Sequence, residues 1–174
     1  MVSSIVTVRS EVVSPAFFQQ GSKYTRATHV DGSLVDPKKA VQPGETIFLY
    51  GNGFGSTDPS VIEGTVVTSP AAIIHPVDIR IGGRPAEISY QALVDTGLYV
   101  FLVKVPAQLA TGDAAVVAQS DGVQFPDGVF LPVEAPPTGP ADILAQIDNF
   151  RFTPNPVNVL TGGKLTGSNN DTEE

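Results

Sequence analysis

Two histidines and no cysteines are available for chemistry in this sequence of 174 residues. His29 and His75 are far apart, and no Gly-x-Ser-x-Gly motif supplies the serine that a hydrolase triad would need. A metal site at either histidine would need carboxylates from other segments, such as Asp31 or Asp78. The stronger interpretation makes both histidines polar residues of turns and strand ends. The sequence therefore predicts no catalytic residue, no metal and no cofactor.

Four aspartates lie in stretches whose composition is typical of turns. These are Asp31, Asp58, Asp121 and Asp127. Aspartate side chains accept hydrogen bonds from nearby backbone amides in turns, and this explains most of the four. A loop-borne calcium site made from some of them is the remaining alternative, since Ca²⁺ prefers oxygen ligands, although no EF-hand spacing is present.

Residues 50–55 read Tyr-Gly-Asn-Gly-Phe-Gly and are rich in glycine, as phosphate-binding loops are. The segment lacks the Lys-Ser/Thr pair of a P-loop, no helical pattern follows it, and Pro59 comes soon after. We therefore interpret it as a strand end followed by tight backbone turns.

Composition excludes further classes of function. The formal net charge is −8 and the pI is about 4.6, which disfavours binding to the phosphate backbone of nucleic acids. Without cysteine there are no disulfides, thiolate metal sites or cysteine nucleophiles. No run of apolar residues reaches the roughly 20 that a membrane-spanning helix needs. The chain is expected to be soluble, with any export signal removed or located upstream.

Short β-branched segments separated by turn residues dominate the pattern and predict an all-β, antiparallel β-sandwich. Residues 46–50 form one such segment, and residues 98–105 are almost entirely apolar, as expected of a central strand. Residues 77–81 and 86–90 both alternate between apolar and polar side chains. Because Gly82 and Gly83 separate them, we expect these two segments to pair as a hairpin.

Changes in composition divide the chain into four parts. Residues 1–11 contain a lone β-branched strand, and residues 12–133 contain the main sandwich. Residues 134–140 are rich in proline and predict a stiff linker. Residues 141–174 predict a second, incomplete β segment, which ends in a polar stretch.

Six motifs of the main domain occur together in a characteristic order. They are VSPAFF (13–18), THVDGSLV (28–35), PGETIFLYGNGFG (43–55), VDIRIGGRPA (77–86), GLY leading to VPA (97–99 and 105–107), and TGD (111–113). In this order they resemble an immunoglobulin-like C-terminal domain family of large secreted bacterial proteins, related to the IPT/TIG sandwich. The resemblance implies an immunoglobulin-like sandwich and an extracellular or cell-surface location, and it implies no enzymatic activity.

The C-terminal part carries a second, shorter resemblance. Residues 147–159 and 162–166 resemble the opening of a cupredoxin. The similarity ends before any copper ligand would appear, and copper electron transfer needs two histidines and a cysteine. The tail is therefore expected to contribute strands without a metal centre.

The terminal segments suggest how the protein works. A lone strand or hairpin is not stable by itself, so each must pair with the main domain or with the sheet edge of another chain. We therefore predict a non-catalytic structural or adhesion module that associates with copies of itself or with neighbouring domains by β-strand addition, as in a surface or filament subunit. The residues expected to carry this assembly are Ile5, Val6, Val8, Ile147, Phe150, Phe152, Val157 and Val159.

The alternative is an immunoglobulin-like module of a larger secreted protein that binds a glycan or a partner protein through its loops. Loops at one end of a sandwich commonly carry recognition, and residues 51–60 and 119–128 are the candidates. The residues expected to contact such a ligand are Asn52, Phe54, Ser56, Asp58, Gln124, Phe125 and Asp127.

Overall fold

The computed structural model describes a chain made of β-strands and connecting loops. The described residues are 13–62, 64–124, 128–136, 143–148, 151–153 and 164–169. The chain divides into two compact units, Met1–Ala135 and Pro136–Glu174, and the boundary falls inside the segment 134–140 that was predicted as a linker. The strand predicted in residues 1–11 lies outside the described residues.

The first unit contains fourteen strands among its described residues. Their bounds are β1 (Ala16–Phe17), β2 (Gln19–Gln20), β3 (Tyr24–Thr25), β4 (Ala27–His29), β5 (Thr46–Asn52), β6 (Thr57–Asp58), β7 (Ala71–Ile73), β8 (Val77–Ile81), β9 (Arg84–Pro85), β10 (Glu87–Asp95), β11 (Leu98–Lys104), β12 (Gly112–Ser120), β13 (Val123–Gln124) and β14 (Phe130–Val133). Turns with glycine at positive φ connect many of these strands.

Two seven-stranded sheets pack face to face in this unit. The first has the order β1-β5-β11-β10-β7-β6, with β4 also paired to β5. The second has the order β2-β3-β14-β12-β8-β9, with β13 also paired to β12. All strand pairs are antiparallel except β3 with β14. The predicted all-β antiparallel sandwich is therefore confirmed.

The core lies between the two sheets and follows the alternation of the strands. In β5, Ile47 and Leu49 are fully buried while their neighbours are partly exposed. In β12, Val116 and Ala118 alternate with more exposed residues in the same way. Because successive side chains of a strand point to opposite faces, this pattern fixes which face meets the other sheet.

The predicted hairpin between residues 77–81 and 86–90 is wrong. After the turn at Gly82 and Gly83, β8 has the two-residue β9 on one side and β12 on the other, whereas β10 belongs to the other sheet and pairs with β11 and β7. Alternation reports which side chains face a core but not which sheet carries the strand. Both sheets face the same core here, so Ile81 and Ile88 pack against it from different sheets.

The second unit contains a three-stranded sheet among its described residues, which we call the tail sheet. Its strands are β15 (Ile143–Asp148), β16 (Arg151–Thr153) and β17 (Leu165–Asn169), in the order β16-β15-β17. The β15–β16 pair is antiparallel, and the β15–β17 pair is parallel.

The tail sheet includes only part of the predicted assembly set. Ile147 of β15 lies opposite Phe152 of β16. The remaining members of the set lie outside the described residues: Ile5, Val6, Val8, Phe150, Val157 and Val159. In the described part of the chain, no helix has the length and apolar character needed to span a membrane.

Candidate functional site

The two loops predicted to act together lie at the same end of the sandwich, on either side of His75. Its Nδ1 is 3.6 Å from a carboxylate oxygen of Asp121, in the turn after β12. On the other side, its Cδ2 lies 2.6 Å from the position that a Cβ on Gly55 would occupy. His75 therefore packs between the loop that follows β5 and the turn that follows β12.

Phe54 is not a surface contact residue, contrary to its place in the predicted recognition loop. Its side chain is fully buried, with its ring centroid 4.5 Å from that of Phe101 and 5.7 Å from those of Phe17 and Tyr99. Aromatic rings at these separations pack favourably. Phe54 therefore anchors the loop to the core and leaves ligand contact to its neighbours.

The glycines on either side of Phe54 allow the chain to turn inward at this point. Gly53 has φ +77°, and a Cβ there would lie 1.9 Å from the carbonyl oxygen of Ser14. Gly55 has φ +91°, and a Cβ there would lie 2.7 Å from a methyl group of Val13. No residue with a side chain fits such contacts, which explains why the segment is rich in glycine.

The other predicted contact residues are distributed around this end. Ser56 lies in the loop, Asp58 ends the short strand β6, and Gln124 ends β13; all three are exposed. Asn52 is exposed at the end of β5. The remaining two members of the set, Phe125 and Asp127, lie outside the described residues.

A cleft of about 460 Å³ opens beside the loop. We call it the loop cleft; it is lined by Ser14 and by residues from segments 53–57, 60–67 and 93–99. The side chains of Ser14, Ser56 and Ser60 line it from exposed positions. Residues of segments 60–62 and 64–67 form one wall of the cleft, which the sequence did not reveal because its β-branched residues carry no motif that points to binding.

Hydrogen bonds brace the far wall of the loop cleft. The Thr96 hydroxyl lies 3.4 Å from the amide of Val67 and 3.5 Å from the carbonyl of Thr65. The Tyr99 hydroxyl donates to the carbonyl of Gly55 at 2.6 Å, and burial raises the pKa of Tyr99, which keeps this donor protonated. No described residue that lines the cleft is charged. The described lining therefore offers hydroxyl and backbone groups that can hydrogen-bond to a ligand.

His29 is the last residue of β4, and its side chain contacts the loop that precedes β5. Its Nδ1 is 2.5 Å from a carboxylate oxygen of Glu45, and its Nε2 is 3.2 Å from the carbonyl oxygen of Lys39. Its side chain is 9% exposed. Both ring nitrogens face acceptors of the protein itself. Among the described residues, no group of three or more acidic or histidine side chains is arranged to hold a metal ion.

The edges of the sheets form a second candidate region. The outermost strands of the sandwich, β1, β6, β2 and β9, have only two residues each. The tail sheet instead ends in the three-residue β16 and the five-residue β17. Leu165 of β17 is 53% exposed. Strand β17 is therefore longer than any of the four strands that end the sandwich sheets.

No family model, curated protein or solved structure matches the chain. Its function must therefore be argued from its own residues, with the motif resemblance as a hypothesis. The loop cleft and the edges of the tail sheet are the two regions on which that argument rests.

Proposed function

We propose that the chain is a non-catalytic structural or adhesion module that associates with other chains by β-strand addition at the tail sheet. One observation carries the proposal: among the described residues, β16 and β17 each pair with β15 on one side and with no strand on the other. The outer side of each strand presents backbone amides and carbonyls that a further strand can bind.

Within its five described residues, β17 lacks two residue types that commonly protect an edge strand against pairing. Its five residues, Leu165–Asn169, include no lysine and no proline. Leu165 is largely exposed and would be covered by an added strand. A sheet of three short strands gains stability when an additional strand or layer covers it, because more apolar area is then removed from water.

The donor strand that we propose is the segment containing Ile5, Val6 and Val8, which lies outside the described residues. Its β-branched composition favours an extended conformation. If the segment of one chain pairs with the tail sheet of the next, the contact is heterologous. Repetition of such a contact produces a filament unless the rotation between subunits closes a ring.

The non-catalytic part of the proposal rests on the environment of the two histidines. Both ring nitrogens of His29 face Glu45 and the Lys39 carbonyl, which leaves neither nitrogen for proton transfer to a substrate. His75 packs against Gly55, and its Nδ1 lies 3.6 Å from a carboxylate oxygen of Asp121. An extracellular or cell-surface location rests on the motif resemblance alone.

Recognition of a glycan or a partner protein by an immunoglobulin-like module of a larger secreted protein is the second candidate. The loop cleft supports it, because a cleft of this volume lies in the range used by small ligands. Hydroxyl groups on its rim suit the hydrogen-bonding pattern of a sugar. The two candidates predict different behaviour of the free chain in solution.

Light scattering over a range of protein concentrations, with negative-stain imaging of the same samples, tests the proposal. We expect particles well above the 18.2 kDa monomer mass, growing with concentration. Leu165→Lys should reduce the association, because strand addition would bury a charge at the edge. Val30→Lys is the matched control, since Val30 is 65% exposed in a turn of the sandwich and gains the same charge.

A wild-type chain that stays monomeric at every concentration contradicts the proposal and favours recognition through the loop cleft. Equal loss of association in Leu165→Lys and Val30→Lys would also count against it. That result would assign the effect to net charge and not to the edge.

A further inference from the structure

The dipeptide Asn52-Gly53 combines reactive chemistry with an exposed position. It is the one Asn-Gly pair in the sequence. Asn52 is the last residue of β5 and is exposed to solvent. Glycine in the following position has no side chain to shield its amide nitrogen, so the backbone can approach the asparagine side chain closely.

The structure holds the two reacting groups together. The amide of Gly53 donates a hydrogen bond to Oδ1 of Asn52 at 2.7 Å. The amide nitrogen therefore lies beside the side-chain carbonyl group whose carbon it would attack. The backbone is fixed on both sides of this pair, because Asn52 is paired with Ala16 and the Gly53 carbonyl accepts a hydrogen bond from Ser14 at 2.8 Å.

We propose that Asn52 is a site of intramolecular modification in the folded protein. The amide nitrogen of Gly53, having lost its proton to a solvent base, attacks Cγ of Asn52, and a new N–C bond closes a five-membered succinimide. The Cγ–Nδ2 bond breaks, and the side-chain nitrogen leaves as ammonia after taking up a proton. A water molecule then opens the ring at either carbonyl and produces aspartate or isoaspartate. No oxidant or reductant takes part.

The modification changes the end of the sandwich that carries the loop cleft. Nδ2 of Asn52 lies 3.8 Å from the position that a Cβ on Gly97 would take, and Gly97 lines the cleft. Either product places a carboxylate at the rim of a site whose described lining has no charge. Isoaspartate also adds one carbon to the main chain next to Gly53, where a Cβ would already lie 1.9 Å from the Ser14 carbonyl.

Peptide mapping of the intact chain tests this inference. The folded protein is incubated in mildly alkaline buffer, and a second sample is kept mildly acidic, where the amide loses its proton far less often. Trypsin then releases residues 40–80 as one peptide, in which Asn52 is the only asparagine. We expect this peptide to gain the mass of an amide-to-acid exchange about tenfold faster than the peptides that contain Asn149 or Asn158.

Asn52→Gln is the matched variant, because it keeps an exposed amide but lengthens the side chain, so that the five-membered ring cannot form. We expect no mass gain in its 40–80 peptide. The inference is overturned if the wild-type peptide stays unmodified in the folded chain while it reacts in urea, since the fold would then protect Asn52. Equal mass gain at Asn52 and Asn149 would overturn it as well.

Discussion

The sheets of the sandwich and the tail sheet differ in the length of the strands at their edges. Each sheet of the sandwich ends in strands of two residues, such as β6 and β9, which offer few free backbone groups. The tail sheet ends in β17, whose five residues have no strand on their outer side among the described residues. Short edge strands are a common protection against aggregation. In the proposed function, this difference separates a self-contained part of the chain from the part that joins another chain.

The same contrast extends to side chains. At the loop end of the sandwich, Phe54 is turned inward and fully buried. In β17, Leu165 is 53% exposed. Burying a large apolar side chain stabilises a fold by about 2 kcal/mol. Phe54 already makes this contribution, whereas Leu165 would make it only in the proposed assembly, when another strand covers it.

The largest expected effect comes from removing the aromatic anchor of the sandwich. Phe54→Ala leaves a cavity among Phe17, Tyr99 and Phe101, and we expect it to lower the free energy of unfolding by about 3–5 kcal/mol. Urea unfolding followed by far-ultraviolet circular dichroism measures this loss. A loss below about 1 kcal/mol would contradict the role of Phe54 as an anchor.

Hydrogen exchange of Phe54→Ala tests whether the sandwich and the tail sheet unfold separately. Amides of β5 and β11 should lose protection, because both strands pack around the cavity. Amides of β15 should be unchanged, because that strand belongs to the other compact unit. Equal loss in both units would mean that the sandwich and the tail sheet unfold together.

A smaller effect is expected from Gly53→Ala, compared with Gly64→Ala as a control. Both glycines have nearly the same positive φ, +77° and +79°, so each substitution costs about 1–2 kcal/mol of backbone strain. A Cβ on Gly53 also meets the Ser14 carbonyl, whereas nothing lies within 4 Å of a Cβ on Gly64. Urea unfolding should therefore show a clearly larger loss for Gly53→Ala. Equal losses would mean that Ser14 moves away without cost.

The smallest effect is expected at an exposed ion pair near the edge of the second sheet. The Lys23 ammonium group bonds to the carboxylate of Asp113 and lies 5.4 Å from the ring centroid of Tyr24 and 5.6 Å from that of Phe130. Lys23→Met should lower the melting temperature at neutral pH only slightly, because exposed ion pairs contribute little.

The pH dependence of this ion pair distinguishes it from simple packing. The hydrogen bond from Lys23 lowers the pKa of Asp113 from its ordinary value of 3.8. A carboxyl group with a lower pKa in the folded state stabilises that state above pH 3.8, and this contribution is lost as the pH falls through the folded-state pKa. The melting temperatures of wild type and Lys23→Met should therefore converge below about pH 4. A gap that stays constant would assign the effect to packing of the Lys23 side chain.

The sequence predicted strands correctly where both the composition and the length of a segment are typical of a strand. Residues 46–50 and 77–81 are strands in the structure, within two residues at each end. It failed at the partner of β8, because a turn with Gly82 and Gly83 is compatible both with a long hairpin and with a crossing to the other sheet. It also included Phe54 among the possible ligand contacts, because Phe54 lies in the predicted recognition loop 51–60.

The sequence by itself determined the all-β class, since it consists of short β-branched segments separated by glycine and proline turns and contains little helical periodicity. Only the tertiary structure decided which sheet each strand joins, that Phe54 fills the core, and that segments 60–62 and 64–67 form a wall of the loop cleft. The physical reason is that alternation and turn chemistry act over a few neighbouring residues. Strand partners and cavities depend on contacts between residues distant in the chain.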